Sequence, residues 1–552
     1  MKNIIFAGFI CFVLSACKKS PDAIIPTPPE IGIANIEVDG FNNGTNYNGV
    51  STLPIVKVSF TSAVNRLSVS GAVAFKNASG VNISYNLSYA DNDSTIVLVP
   101  ASKLDYLSKN GITISTNLTS KDNGPFKTNA FINLLTVIDS SNKFPVVTNE
   151  QLLTLVQKQH FKYFWDFGHP ISGLARERNT SGDVVTSGGS GFGLMAIITG
   201  ISRGFITKTQ GLARMQKIIT FLEIKAQKFH GAFPHWLHGV TGQVVPFSQF
   251  DDGADLVETS YLVQGLLTAR QFFNGSSTAE QSLRNSINSI CNNVEWDWFR
   301  KNNEQVLYWH WSQTNNWNIN VQIKGWNECL ITYVLAASSS SHSVPKTVYD
   351  QGWASNGALV NGNSYYGVQL PLGPAAGGPL FFAHYSFLGI DPTDLVDAYA
   401  NYKTQNTAHT QINFNYCKAN PQGYYGYSES CWGLTASDDF KFGYKVHEPN
   451  NDNGVLSPTA ALSSFPYTPV QSMNALKFFY YKLGDKLFKE YGFVDAFSLH
   501  EPWFADSFLA IDQGPILIMI ENYRSGLLWD LFMSCPEIKT GMRSLGFSGP
   551  HL

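Results

Sequence analysis

Charge is scarce in this chain. Only 14% of its 552 residues are Asp, Glu, Lys or Arg, against about 25% in an average soluble domain. With 38 basic and 41 acidic side chains the net charge is −3, so no basic field exists to draw in nucleic acid or an anionic membrane surface. Cysteine is scarce too. There are seven, with no C-x-x-C pair, which argues against a zinc site or a disulfide framework. Cys417 and Cys431 are placed to pair across a loop, but buried free thiols fit the pattern better. After the N-terminus no apolar run is long enough to read as transmembrane. Calcium-loop and nucleotide-loop signatures are missing as well. "GGSGFG" at 188–193 has neither the Lys of a phosphate loop nor the preceding strand of a dinucleotide site. Aromatics, by contrast, reach 13%, with 12 Trp and 24 Tyr. Such a surface, leaning on Asn, Ser, Thr and Gly, suits a neutral, hydroxyl-rich partner.

The chain is too long for one ordinary core, so two or more domains are expected. Lys2 followed by the apolar run at 4–16 reads as a signal peptide. It ends in Leu14-Ser15-Ala16-Cys17, which resembles a lipobox, with Cys17 acylated. Residues 1–17 are then removed or processed, and the mature chain is anchored by lipid rather than spanning. An outer-membrane lipoprotein is expected, facing periplasm or outside. Lys18 and Lys19 lean toward the periplasm, because an acidic run there is associated with surface export. Residues 18–31 are a Pro-rich tether. Residues 32–138 alternate in short runs such as "IVKVSF", "STIVLVP" and "GITISTNL" between Asn, Gly, Ser and Asp turns. That is the pattern of a β-sandwich, and it resembles a bacterial immunoglobulin-like domain.

From residue 145 to 552 the pattern is helical. Amphipathic runs such as "NEQLLTLVQKQHFKYFW" alternate with more apolar segments that open on glycine. Six of the latter stand out, in "GGSGFGLMAIITGIS", "DDGADLVETSYLVQGLLTA", "KGWNECLITYVLAAS", "AAGGPLFFAHYSFLG", "DNGVLSPTAALSSF" and "DQGPILIMIENYRSGLLW". Helices apolar all round belong inside and amphipathic ones outside. Six inner segments predict an (α/α)6 barrel, with the inner N-termini sharing one rim.

Acids gather at those starts. At about 100° per residue, Asp251, Asp255 and Glu258 fall within an arc of about 60°. Capping accounts for an acid in the first turn but not for Glu258. Like charges on one face raise at least one pKa unless a cation intervenes, a property useful in a general acid. Glu328, Glu429 and Asp512 occupy similar positions after aromatic loops. His235, Trp236, Trp311, Trp326, Tyr425 and Trp432 would line the rim, aromatic faces stacking on sugar rings and polar groups binding hydroxyls. Plainer readings stand beside these. The aromatics suit packing, Asp512 suits a helix cap, Glu429 suits a solvated loop, and the Asp251 cluster suits calcium. His342 and His409 read as polar-loop residues without chemistry.

"YFWDFGHPISGLARER", "TSGGSGFGLMAIITG", "GAFPHW", "DDGADLVETSYLVQGLL" and "IKGWNECLITYVLAAS" resemble the glucoamylase-like family of secreted (α/α)6 proteins. Within it the pattern is most similar to glycoside hydrolase family 144. The resemblance covers about 145–550. It implies inverting hydrolysis of β-1,2-glucan, internally or by release of sophorose, with no metal or cofactor. It also implies that Asp251, Asp255, Glu258 and Glu328 are the functional acids, Glu328 transferring a proton. Inversion would place the two reacting carboxyls about 6.5–9.5 Å apart. Other glucan specificities, a polysaccharide lyase and a non-catalytic glycan-binding lipoprotein are the alternatives. The low basic content speaks against a lyase.

Overall fold

The computed structural model describes residues 27–552 and divides into one unit ending at Val137 and a second running Ile138–Leu552. The expected signal segment, Cys17 and residues 18–26 of the expected tether lie outside the described residues. No helix among the described residues is long and apolar enough to cross a membrane.

The first unit holds eight strands: β1 (Ile33–Val38), β2 (Asn46–Val50), β3 (Val56–Phe60), β4 (Val73–Asn77), β5 (Tyr85–Ala90), β6 (Thr95–Pro100), β7 (Lys109–Ile114) and β8 (Ala130–Thr136). They form two four-stranded sheets, β1-β3-β6-β5 and β2-β8-β7-β4, antiparallel except for the β2–β8 pair. The period-2 pattern sets which face is buried. Val56, Val58 and Phe60 of β3 point inward while Lys57 is exposed. Residues of both sheets, among them Val58, Ile96, Phe75, Ile112 and Ile132, share one core. Asn65 caps the Arg66–Ala72 helix, which carries the chain from β3 to β4, by accepting the Leu67 N–H at 3.1 Å.

The second unit is mainly helical. Ser187–Ser202, Leu256–Phe272 and Ala510–Ser525 are long helices buried nearly all round, and the first packs against each of the other two. Asn149–Trp165 and Lys208–Ile224 are amphipathic, and capping boxes start both, Thr148 with Gln151 and Thr207 with Gln210. A Cβ on Gly191 would lie 2.1 Å from the Tyr261 carbonyl, and one on Gly265 2.2 Å from the Gly191 carbonyl. Only glycine permits the Ser187–Ser202 and Leu256–Phe272 backbones to meet so closely.

Three expectations change. "AAGGPLFFAHYSFLG" is not a continuous helix but three short 3-10 turns, Ala375–Gly377, Leu380–Ala383 and Tyr385–Leu388. Pro374, Pro379 and the left-handed Gly377 and Gly378 break it. "DNGVLSPTAALSSF" yields only the five-residue helix Pro458–Leu462. His409 lies inside the Tyr402–Ala419 helix rather than in a polar loop, fully buried, with Nε2 donating to the Gly378 carbonyl at 3.0 Å. Cys329, Cys417, Cys431 and Cys535 are buried free thiols, and Cys291 is a half-buried one.

Candidate active site

The Leu256–Phe272 helix begins at its cap, Asp255, so the residues before it are not helical. Ala254–Asp255 instead pairs antiparallel with His310–Trp311. The single helical face drawn through Asp251, Asp255 and Glu258 is therefore corrected, because Asp251 lies in the turn that precedes the helix. The turn still folds it back. One ligand-type atom each of His235, Asp251 and Asp255 lie within 4.8 Å of one another.

Asp255 is 1% exposed and its carboxylate is fully engaged. Oδ1 accepts the N–H groups of Val257 (2.9 Å) and Glu258 (2.8 Å). Oδ2 accepts His235 Nδ1–H (2.9 Å) and Trp309 Nε1–H (3.1 Å). Four donors make it a fixed anchor, and they occupy the lone pairs a cation would need. His235 answers the question of like charges. Burial opposes its protonation, but Glu258, Asp255 and Asp251 outweigh that and push it up to about 9. It is the cation among the acids. Asp252 turns aside to the Ser312 hydroxyl and Asn315 Nδ2. His310, fully buried, places Nε2 3.2 Å from Asp251 Oδ1, off the line of a hydrogen bond.

Glu258, expected more than a turn inside the helix, lies in its first turn, because the helix starts only at Leu256. Its Oε2 accepts the Thr186 hydroxyl (3.0 Å) and the Gly188 N–H (2.7 Å). A Cβ on Gly188 would sit 2.6 Å from that oxygen, which explains a glycine there. Burial is the chief cause raising the Glu258 carboxyl above the ordinary carboxylate range. His235 opposes the shift and Asp255 adds to it.

Glu328 sits in the turn before the Leu330–Ser338 helix. Its backbone carbonyl is clasped by the hydroxyls of Ser386 and Tyr261. No side chain among the described residues bonds its carboxyl. Burial pushes that carboxyl up to about 7, its own backbone N–H works against the shift, and Asp255 and Glu258 reinforce it.

A second carboxyl group of residues lies beside the first. Asp512, 2% exposed in the first turn of Ala510–Ser525, lies against Asp495, which is 1% exposed, and Asp512 Oδ2 and Asp495 Oδ1 have no hydrogen-bond partner among the described residues other than a proton the two could share. Asp495 Oδ2 accepts the Asp438 N–H at 2.6 Å. Asp438 is held by Arg178 Nη1 (3.3 Å to each oxygen) and the Ser507 hydroxyl (2.5 Å). Arg178 Nε also reaches both oxygens of Glu177 at 3.1 Å. Burial, and then Asp438, push Asp495 up to about 7, and burial, then Asp495, raise Asp512 well above the ordinary carboxylate range. Two buried carboxyls in contact share one proton. Gly188 and Gly189 bring the groups together, since a Cβ on the first would lie 2.6 Å from Glu258 Oε2 and one on the second 2.6 Å from the Cβ of Ala510, where the Asp512 helix starts.

Asp251, Asp255, Glu258, His235, Trp236, Glu328 and Asp512 thus fall in one region. Trp236 meets Phe247 edge-on at 4.9 Å, and Phe247 stacks on His235 at 4.2 Å. Other expected sugar contacts are corrected. Trp432 is fully buried against Phe414, and Trp326 is buried against Trp353, Phe387 and Tyr402. Neither ring offers a free face. Tyr425 uses its hydroxyl to accept the Ile138 N–H at 3.3 Å. Glu429 is exposed and ion-paired with Lys418. Trp311, next to His310 on its short strand, packs edge-on to His230 and Trp298. Sequence reasoning missed Thr186, Gly188, Trp309, Arg178, Asp438 and Asp495. "TSGGSG" was the signal for two of these, read as the start of an inner helix, as a family motif and as a phosphate loop that failed, but not as the partner of Glu258.

Known proteins resemble this chain closely. A family model described as "Putative glucoamylase" matches residues 320–536. A curated exo β-1,2-glucooligosaccharide sophorohydrolase (non-reducing end) from Parabacteroides distasonis is 48% identical over 429 residues. That match takes in 74% of this chain, which spans 59% of the relative's length. An endo-β-1,2-glucanase from Chitinophaga pinensis, solved with sophorotriose and glucose, is 50% identical, with a TM-score of 0.72 over 74% of this chain and 100% of its own. A β-1,2-glucanase structure from Parabacteroides distasonis is 37% identical, with a TM-score of 0.71 over 94% of this chain and 73% of its own.

Proposed function

The chain belongs to the glucoamylase-like family, of the glycoside hydrolase family 144 type, and from that membership we propose that it hydrolyses β-1,2-glucan or its oligosaccharides with inversion. The architecture that goes with this reading is an (α/α)6 barrel following an immunoglobulin-like sandwich. The N-terminal sequence goes with a lipoprotein anchored through Cys17 to the outer membrane, meeting its glucan on the periplasmic side or the surface.

Glu328 carries the reading. It is a buried carboxyl with no side-chain partner, pushed up to about 7, so a large fraction of it still carries a proton at neutral pH and that proton is free to leave. It protonates the glycosidic oxygen as the bond to the anomeric carbon breaks. Water attacks that carbon from the other face and gives its proton to Asp512 as Asp512 passes the proton it shares to Asp495, so the pair goes from one proton to two. Glu258, positioned by Thr186 and Gly188, binds the reacting sugar. Asp255 fixes His235 and the start of the Leu256–Phe272 helix, and Asp251 supports them. No metal or cofactor takes part in these steps.

The test is to incubate protein lacking Cys17 with linear β-1,2-glucan, starch and β-1,3-glucan, and to chromatograph the products over time. A ladder of β-1,2-oligosaccharides means endo cleavage, and sophorose alone from the outset means exo cleavage. Release from another polymer only would discard the substrate.

A further inference from the structure

Of the 12 tryptophans, Trp298 is the one exposed at the surface, at 41%. Exposing an indole forgoes the gain of burying it, and here the ring is not loose. His230 stacks on one face at 3.7 Å and 13° between planes, and Trp311 meets its edge at 5.9 Å. One ring surface is thus braced from behind while the rest faces a cavity of about 380 Å³, within the range of small-molecule sites. Trp317, itself braced edge-on by Phe299 and Tyr308, gives a second aromatic wall.

The polar groups converge on the same space. Asp297 lines it with Oδ1 held by His342 Nδ1 at 2.9 Å, and Glu295 lines it with Oε2 held by His230 Nδ1 at 2.8 Å. Each acid is fixed through one oxygen, which leaves the other to accept hydroxyl protons. Asn302 and Asn303 close the rim. They belong to a run of three successive left-handed residues, Lys301 (φ 40°), Asn302 (φ 60°) and Asn303 (φ 63°), a conformation costly for Lys and tolerated by Asn. Strain of this kind persists where the surroundings enforce it.

We propose that this cavity is a second glucan-binding site, separate from the carboxylate site, in which a glucosyl unit stacks on Trp298 and its hydroxyls bond to Asp297, Glu295 and Asn302. A braced aromatic floor under fixed acceptors matches the apolar C–H face and polar rim of a neutral sugar. A hard cation would require six to eight oxygens instead of a ring floor. The site holds the polymer near the enzyme without taking part in the chemistry. The identity of the sugar rests on the reading above that the substrate is β-1,2-glucan.

The test uses the full mature chain in a Glu328→Gln background, so that polymer is bound and not cut, in gels containing long linear β-1,2-glucan. Adding Trp298→Ala should weaken retardation at least about fivefold, and Asp297→Asn with Asn302→Ala, which keeps the aromatic packing, about threefold. Unchanged melting temperatures would exclude misfolding. Crystals soaked with sophorotriose should show a glucosyl ring against Trp298. If the Glu328→Gln parent is retarded and both variants match it within twofold, the second site is wrong while the substrate reading stands. If the parent ignores β-1,2-glucan, or is retarded only by another polymer, the substrate reading fails and takes the sugar assignment with it. If calcium alone shifts the melting temperature and loses that effect in Asp297→Asn, the cavity is a cation site and the proposal is overturned.

Discussion

Glu328 shows what one side chain's surroundings can do. Replacing it with Gln keeps the shape and removes the proton, so turnover should fall by at least about 10²–10⁴-fold with the fold intact, as read by activity against the circular dichroism spectrum. Its pKa near 7 predicts that kcat/KM declines as pH rises through about 7, because the proton donor is then ionised. The sign for stability is the same. A folded carboxyl raised above its unfolded value of about 4.5 penalises the native state once ionised, fully above about pH 7 and not at all below about pH 4.5. Glu328→Gln should therefore melt higher than wild type at pH 8, by up to about 3 kcal/mol of stability, with the difference gone near pH 4.5. Equal melting at both pH values would show the carboxyl to be unstrained. Asp495→Asn removes the partner that shares Asp512's proton and should move the pH optimum of kcat while KM changes little. A uniform loss at every pH would mean that Asp495 only supports the loop. The acids at 251–258 and Glu328 were legible because they gather at helix starts in a charge-poor chain. Asp438, Asp495 and Arg178 were not, because they come from separate loops that only the folded chain brings together. Trp326 and Trp432 misled for a physical reason: an aromatic in a glycine-rich loop looks the same in sequence whether its face is open or packed.

At the scale of elements, composition spoke more clearly than periodicity. Ser187–Ser202 carries glycines and apolar residues on every side, and it is buried on every side. The segment at 375–389 is just as apolar, yet Pro379 inside it, Pro374 just before it and its left-handed glycines turn it into 3-10 pieces, because hydrophobicity reports burial while backbone freedom decides the element. Two predictions belong here. Gly191→Ala drives a methyl group into the Tyr261 carbonyl and should cost about 1–3 kcal/mol, measurable by urea unfolding, with activity lost in step because that helix pair carries Glu258. The ends of the buried helices are tied by Glu521, 1% exposed, which accepts Arg203 Nε at 2.6 Å and Nη2 at 2.8 Å. Burial works against its charge, but Arg203, Ser525 and Gln157 hold its carboxyl below the ordinary range. Arg203→Ala would strand that charge and should cost about 3–5 kcal/mol. A loss under 1 kcal/mol would mean that Ser525 and Gln157 suffice.

The molecule as a whole has two units, each with a core of its own. Scanning calorimetry should accordingly show two transitions, and a chain of residues 138–552 should keep the larger one. The division between a β-rich first part and a helical second part was legible because the apolar period changes from 2 to 3.6 residues along the chain. The thiols reach further. Cys291 and Cys535 are pushed up to about 12 by burial, and Cys329, Cys417 and Cys431 are raised further still. In the folded state none of the five is a thiolate at physiological pH, so exchange with glutathione requires the chain to open first. Once folded, residues 27–552 hold their five thiols out of redox exchange, and the native state is joined by no disulfide that a reducing compartment could break.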